Sequence, residues 1–222
     1  MVTPAVDPDV ARQIGELVLV RDRPLVVTDA DEVLFMFMEG LEHYLNECGL
    51  YFDWSSFALS GNIRRRADDE PVTKEQQHQI LLDFFAARTE LLTPVTQAAE
   101  TLARLAQRAQ IVVLSNLPIP NRAARSRALH AHGMAYPLVA NVGAKGPAVQ
   151  MLAEMAGRPV LFIDDIPRNH GSVRNEAPHV HCIHYVADSR LATLLGPAET
   201  AHHHAGDWAH IERIVSTILD AA

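Results

Sequence analysis

The chain has few cysteines, no long apolar run and a deficit of basic charge, and each shortage excludes something. Cys48 and Cys182 are the only cysteines in 222 residues. No disulfide framework is implied, and a reducing compartment is expected. Lysine and arginine number 19 against 27 aspartates and glutamates, a net charge of -8. That balance argues against non-specific attraction to nucleic acid or to anionic membranes. No apolar run approaches the roughly 20 residues needed to span a bilayer. The start, Met1-Val-Thr-Pro-Ala-Val-Asp-Pro-Asp9, is acidic and broken by prolines, unlike the basic, apolar profile of a signal peptide. Internal repeats are absent, and the only low-complexity tract is His202-His203-His204. The expectation is a soluble cytoplasmic protein with no nucleic-acid or membrane partner.

What is present reads as α/β. Hydrophobic residues make up 48% and charged residues 21%, ordinary for a chain with a substantial core. The length suits one large domain or a core with a smaller insertion. Short apolar runs alternate with amphipathic helical patterns, as in a parallel sheet. Strands are expected at Leu25–Thr28, Ile111–Leu114, Pro137–Ala140, Val160–Ile163 and His181–Val186. Val95, Ala98, Leu102, Leu105 and Ala109 recur at helical spacing before the second of these. Pro147 opens a helix through Val149, Leu152 and Met155 that Gly157 is placed to stop. Trp208, Ile211, Val215 and Ile218 mark a C-terminal helix with Asp207 as its N-cap.

The alternation lapses between Leu34 and about Thr93. Met38, Leu41, Leu45 and Cys48 trace one helix, with Cys48 expected in the core. Thr73-Lys-Glu-Gln76 fits a capping box opening another, whose apolar face is Ile80, Leu81, Phe84 and Phe85. Residues 35–93 are therefore read as a helical cap inserted after the first strand, with 1–34 and 94–222 forming the core.

The apolar strands end in polar residues of a coherent set. Pro24-Leu-Val-Val-Thr-Asp-Ala-Asp-Glu-Val-Leu34 carries Asp29 and Asp31 where the strand runs out. Ser115 and Asn116 follow the second strand, Asp164 and Asp165 the fourth, and Lys145 precedes the Pro147 helix. Carboxyl ends of parallel strands share one edge, where open α/β sheets bind ligands. Four carboxylates crowded there would raise one another's pKa unless a cation intervened. Oxygen-only ligands suit Mg²⁺. A cation at a helix N-terminus, as Lys145 is, opposes the helix dipole unless it faces carboxylates or phosphate. Ser115 and Asn116 offer donors for phosphoryl oxygens.

These four motifs, in this order, resemble the haloacid dehalogenase (HAD) superfamily over about Leu25 to Asn169. The resemblance implies a Rossmann-like core and an Mg²⁺-dependent phosphatase acting on a small phosphorylated metabolite, such as a sugar phosphate or nucleotide. It makes Asp29 the nucleophile and Asp31 the acid/base. Asp29, the Asp31 carbonyl and Asp164 would hold the metal, with Asp165 in the outer shell or orienting Lys145. Ser115, Asn116 and Lys145 would bind the phosphoryl group. Two other activities remain open on this scaffold, phosphotransfer and dehalogenation, as does a catalytically weak phosphate-binding or regulatory role. A second acid at Asp31 favours the phosphatase, since dehalogenation needs no leaving-group acid.

The family commonly has glycine after the second acid, where this chain has Glu32. That substitution restricts the backbone and adds charge beside the site. Arg64, Arg65 and Arg66 read first as a solvated face and second as an anion contact. Arg168 and Asn169 are close enough to the acidic pair to line the crevice. The histidines, twelve in all, lack carboxylate or thiolate partners at ligand spacing, so no zinc site is expected.

Overall fold

The computed structural model describes residues 6–222, so residues 1–5 of the proline-broken start lie outside it. The chain opens with α1 (Pro8–Gly15), β1 (Leu25–Thr28), α2 (Phe37–Glu47), β2 (Leu50–Phe52), β3 (Ile63–Arg65) and α3 (Lys74–Arg88). It continues through α4 (Ala98–Leu105), β4 (Gln110–Ser115), α5 (Arg122–Ala131), β5 (Leu138–Ala140) and α6 (Gly146–Met155). β6 (Val160–Asp164), α7 (Pro167–Glu176), β7 (His181–His184), α8 (Ser189–Leu195), β8 (His203–His204) and α9 (Trp208–Asp220) complete it.

Six strands form one parallel sheet in the order β5-β4-β1-β6-β7-β8. The chain starts at the centre with β1, works outward through β4 and β5, then crosses back to β6. The strand order thus reverses beside β1, the place where open sheets leave a crevice at their carboxyl edge. The five expected strands are all present. The sixth, β8, is two residues of the histidine tract, too short and too polar to announce itself.

Both sheet faces are buried, so the strands are apolar throughout rather than alternating. Leu25 and Val27 point into one layer with α1, α6 and α7. Val26 points into the other with α4 and α9. The capping box at Thr73 and Gln76 and the Asp207 cap form as the sequence predicts. Gly146 lets α6 meet α7 at close range: a Cβ there would stand 2.4 Å from the Ser172 carbonyl oxygen.

Residues 35–93 hold α2 and α3 and also a two-stranded hairpin, β2-β3, from the polar stretch between them. Met38, Leu41, Phe84 and Leu92 join the same apolar cluster as the α4–α9 layer. Cys48 is exposed, not in the core, because it caps the C-terminus of α2 beyond the buried Met38, Leu41 and Leu45. Arg64 pairs with Asp53 and Asp69, Arg65 with Asp68, and Arg66 lies over Tyr51. The arginine run therefore braces the hairpin. Among the described residues no helix is long and apolar enough to cross a membrane.

Candidate active site

The ends of β1, β4 and β6 and the start of α6 converge at the carboxyl edge. Thr28 lies level with Val113 of β4 and Ile163 of β6, so Asp29 emerges between the two neighbouring strands. The Asp29 amide still belongs to the ladder, donating to the Ile163 carbonyl at 2.9 Å. The chain then turns sharply, the Ala30 carbonyl accepting from the Leu34 and Phe35 amides at 2.8 and 2.9 Å. Trp208 of α9 pins this turn through its indole N–H, 3.0 Å from the Val33 carbonyl.

Lys145, one of two lysines in the chain, is wholly buried. Its Nζ lies 2.8 Å from Asp29 Oδ1 and 2.7 Å from Asp164 Oδ2. The close α6–α7 crossing at Gly146 is what brings it there. Burial works against its charge, but Asp164 and Asp29 outweigh that and raise its pKa above the ordinary lysine range. Asp29 moves the other way for a carboxylate: burial pushes it up to about 7 despite the attraction of Lys145.

The acidic pair divides its work differently from expectation. Asp164, not Asp165, orients Lys145, and its other oxygen accepts from the Ile166 amide at 2.8 Å and Asn169 Nδ2 at 2.9 Å. Asp165 makes no ion pair with Lys145 among the described residues and instead lines the cavity. Its carboxylate accepts no hydrogen bond among the described residues. Burial, then Asp164 and Asp29, lift its pKa well above the usual range.

Two histidines hold this pair from behind. His170 Nε2 lies 3.0 Å from the Asp164 carbonyl and His184 Nε2 2.9 Å from that of Asp165. A carbonyl only accepts, so each Nε2 carries the proton. Burial lowers His170 to about 4, which keeps it neutral.

Asp31 is held by a residue that sequence reasoning missed. Arg125 of α5 is fully buried, donates Nη2 to Asp31 Oδ1 at 2.5 Å, and lies over the Phe35 ring. Its Nε and Nη1 have no partner among the described residues. The signal was spacing: Arg125 shares the buried helix face with Ala128 and Leu129, three and four residues on.

Ser115 is buried, and its hydroxyl has no partner among the described residues. Such a group is costly unless a ligand completes it. Asn116 lines the cavity, but its amide is engaged, donating to the Gly143 carbonyl and accepting from Asn141 Nδ2, each at 2.8 Å. It shapes the loop leading to Lys145.

Glu32 takes the left-handed conformation, with φ +58°. Its side chain is buried as a clamp. One oxygen accepts the Met38 amide of α2 at 2.6 Å and the other the Asp188 amide before α8 at 2.8 Å. Burial nonetheless raises its pKa to about 7. The departure from glycine thus ties the 35–93 segment to the core.

Oxygens of Asp29, Asp164 and Asp165 lie within 4.8 Å of one another. With Asp31, four carboxylates face two cations, Lys145 and Arg125. Acids outnumber cations four to two, and the all-oxygen donor set fits a hard divalent cation, whose binding would need the raised Asp29 and Asp165 carboxyls to ionise. A cavity of about 300 Å³ opens above them, lined by Asp29, Asp31, Lys145, Asp165 and Arg168 and walled by the 35–93 segment.

No protein-family model and no curated protein matches the sequence. Solved structures do. A haloacid dehalogenase-like protein of unknown function from Agrobacterium tumefaciens superposes with a TM-score of 0.61 at 14% identity, covering 87% of this chain and 97% of its own. A predicted phosphoglycolate phosphatase from Haemophilus somnus gives 0.55 at 13%, covering 86% and 97%. CbbY from Rhodobacter sphaeroides, solved with xylulose-1,5-bisphosphate, gives 0.54 at 15%, covering 83% and 94%. The chain has the haloacid dehalogenase-like fold.

Proposed function

We propose that the protein is an Mg²⁺-dependent phosphatase that hydrolyses a small phosphate monoester through an aspartyl-phosphate on Asp29. The observation that carries this reading is the buried Lys145 bridging Asp29 and Asp164 beside the unpartnered Asp165 carboxylate. A positively charged group fixed against a nucleophilic carboxylate suits an incoming phosphoryl dianion.

Asp29 and Asp165, with the Asp31 carbonyl, would hold the cation, and Asp164 is left to fix Lys145. Bound there, Mg²⁺ supplies neutralising charge for the phosphoryl oxygens and lowers the pKa of its carboxylate ligands.

A carboxylate oxygen of Asp29 attacks phosphorus, and the bond from phosphorus to the ester oxygen breaks. The leaving oxygen takes the proton of the Asp31 carboxyl. Water then attacks the phosphorus of the acyl phosphate while Asp31 accepts its proton. The bond from phosphorus to Asp29 breaks, releasing inorganic phosphate, freeing the Asp29 carboxylate and leaving Asp31 protonated as at the start. The Ser115 hydroxyl and Lys145 donate to the phosphoryl oxygens throughout. Arg125 positions Asp31 and does not touch the substrate.

Phosphate release from a panel of phosphate monoesters, with and without Mg²⁺, tests this reading. At least one ester turns over in an Mg²⁺-dependent reaction that Asp29→Asn abolishes. Absence of Mg²⁺-dependent turnover across the panel contradicts it.

A further inference from the structure

The cavity above the acidic floor is walled by apolar side chains. Phe37, Met38, Phe57, Leu59, Leu81 and Phe85 come from the 35–93 segment. Leu191 and Leu195 of α8 close the opposite side. Phe57 is 53% exposed at this wall, a large ring facing solvent with no aromatic partner among the described residues.

Polar lining beyond the floor is scarce and mostly engaged. Both oxygens of Glu32 accept backbone amides, Asn116 is bonded to Gly143 and Asn141, and Asn169 donates to Asp164. Arg168 has no hydrogen-bond or ion-pair partner among the described residues, and it lines the cavity. A sugar brings several hydroxyls, each of which loses water on entry and needs a replacement partner. Apart from Arg168, this wall does not provide them. An apolar group instead gains from burial against the rings.

We infer that the leaving group is apolar, a hydrocarbon chain or aromatic ring on the ester oxygen, with Phe57 and Leu81 as its specificity residues. This rests on the phosphatase reading for the floor of the cavity but not for its wall. It separates the protein from neighbours of the same fold whose names specify phosphoglycolate or xylulose-1,5-bisphosphate.

Binding without turnover tests the wall alone. Two non-hydrolysable ligands, 2-phenylethylphosphonate and the phosphonate analogue of glucose 6-phosphate, are titrated calorimetrically with Mg²⁺ into Asp29→Asn protein. The phenyl ligand binds at least about tenfold tighter, the scale expected from burying a ring. Phe57→Ala reduces that preference about fivefold or more, and Phe57→Tyr largely retains it. Leu81→Ala reduces it as well. Equal or tighter binding of the sugar analogue, failure of both ligands to bind, or a preference untouched by both alanine variants overturns the inference. Wild-type protein is assayed in parallel for hydrolysis of 2-phenylethyl phosphate. Selective binding with no hydrolysis contradicts the phosphatase reading and leaves the apolar wall standing.

Discussion

Arg125 Nη2 stands 2.5 Å from Asp31 Oδ1, a wholly buried guanidinium fixing the carboxylate two residues beyond Asp29. Its Nε and Nη1 are buried without partners among the described residues. A buried donor without a partner costs stability. Arg125→Met removes the unpartnered donors and preserves most of the volume. Urea unfolding is expected to show a change within about 1 kcal/mol, because loss of the buried unpartnered donors offsets the pairing lost by Asp31, which is 17% exposed. In the same variant kcat falls about 10- to 100-fold with KM little moved, because Asp31 loses its position for proton transfer. A kcat that does not fall removes Arg125 from the mechanism.

Lys145 is the opposite case, since its charge is fully used. Lys145→Met leaves Asp29 and Asp164 buried side by side without their cation. Loss of one partner from a buried ion pair costs about 3–5 kcal/mol, which a urea midpoint would reveal. Activity is lost with it. Wild-type stability in this variant would mean that the acidic floor is neutral in the folded protein.

The sheet was readable because buried parallel strands leave short apolar runs, and the four motifs because three sit where such a run ends and Lys145 stands just ahead of a helix. Less was legible where partners come from afar. Arg125 gave a helical-spacing clue, but nothing in its neighbourhood names Asp31, 94 residues earlier, as its target. The parts played by Asp164 and Asp165 depend on which way each side chain leaves the strand, and an Asp-Asp pair carries no mark of that. Glu32 was visible as a departure from glycine. Its purpose was not, because it accepts backbone amides, which every sequence has. The β2-β3 hairpin hid in a polar, arginine-rich stretch, where strands of three residues bury only Phe52 and Ile63 and are too short to show an apolar alternation.

Glu32→Gly restores the backbone freedom that a φ of +58° favours, a gain of about 1 kcal/mol. It also removes two amide-to-carboxylate hydrogen bonds, together about 3 kcal/mol or more. The net expectation is a loss of about 2 kcal/mol in urea unfolding. Faster hydrogen exchange at the Met38 and Asp188 amides should accompany it. A more stable glycine variant would show that the clamp contributes less than the strain it imposes.

The buried acids set a pH dependence with a definite sign. Asp29 and Glu32 rise from ordinary values of 3.8 and 4.5 to about 7 in the folded, metal-free chain. Between about pH 4 and pH 7 the folded state therefore holds protons that the unfolded state has shed. Stability falls as pH rises through that window. Mg²⁺ needs the ionised carboxylates, so its stabilisation grows with pH. At a concentration of 100 times Kd it reaches about 2.7 kcal/mol. Thermal unfolding with and without Mg²⁺ at pH 5 and pH 8 should show the larger rise in Tm at pH 8. Equal rises at both values would place the ion away from these acids.

The aspartyl-phosphate on Asp29 is tested most directly by trapping it. Protein mixed with Mg²⁺ and a monoester radiolabelled in its phosphoryl group is quenched in acid during turnover and mapped by peptide. The label is predicted on the peptide containing Asp29 in wild type and absent from that peptide in Asp29→Asn. Steady turnover with no label on that peptide, or label that persists in Asp29→Asn, would contradict the mechanism.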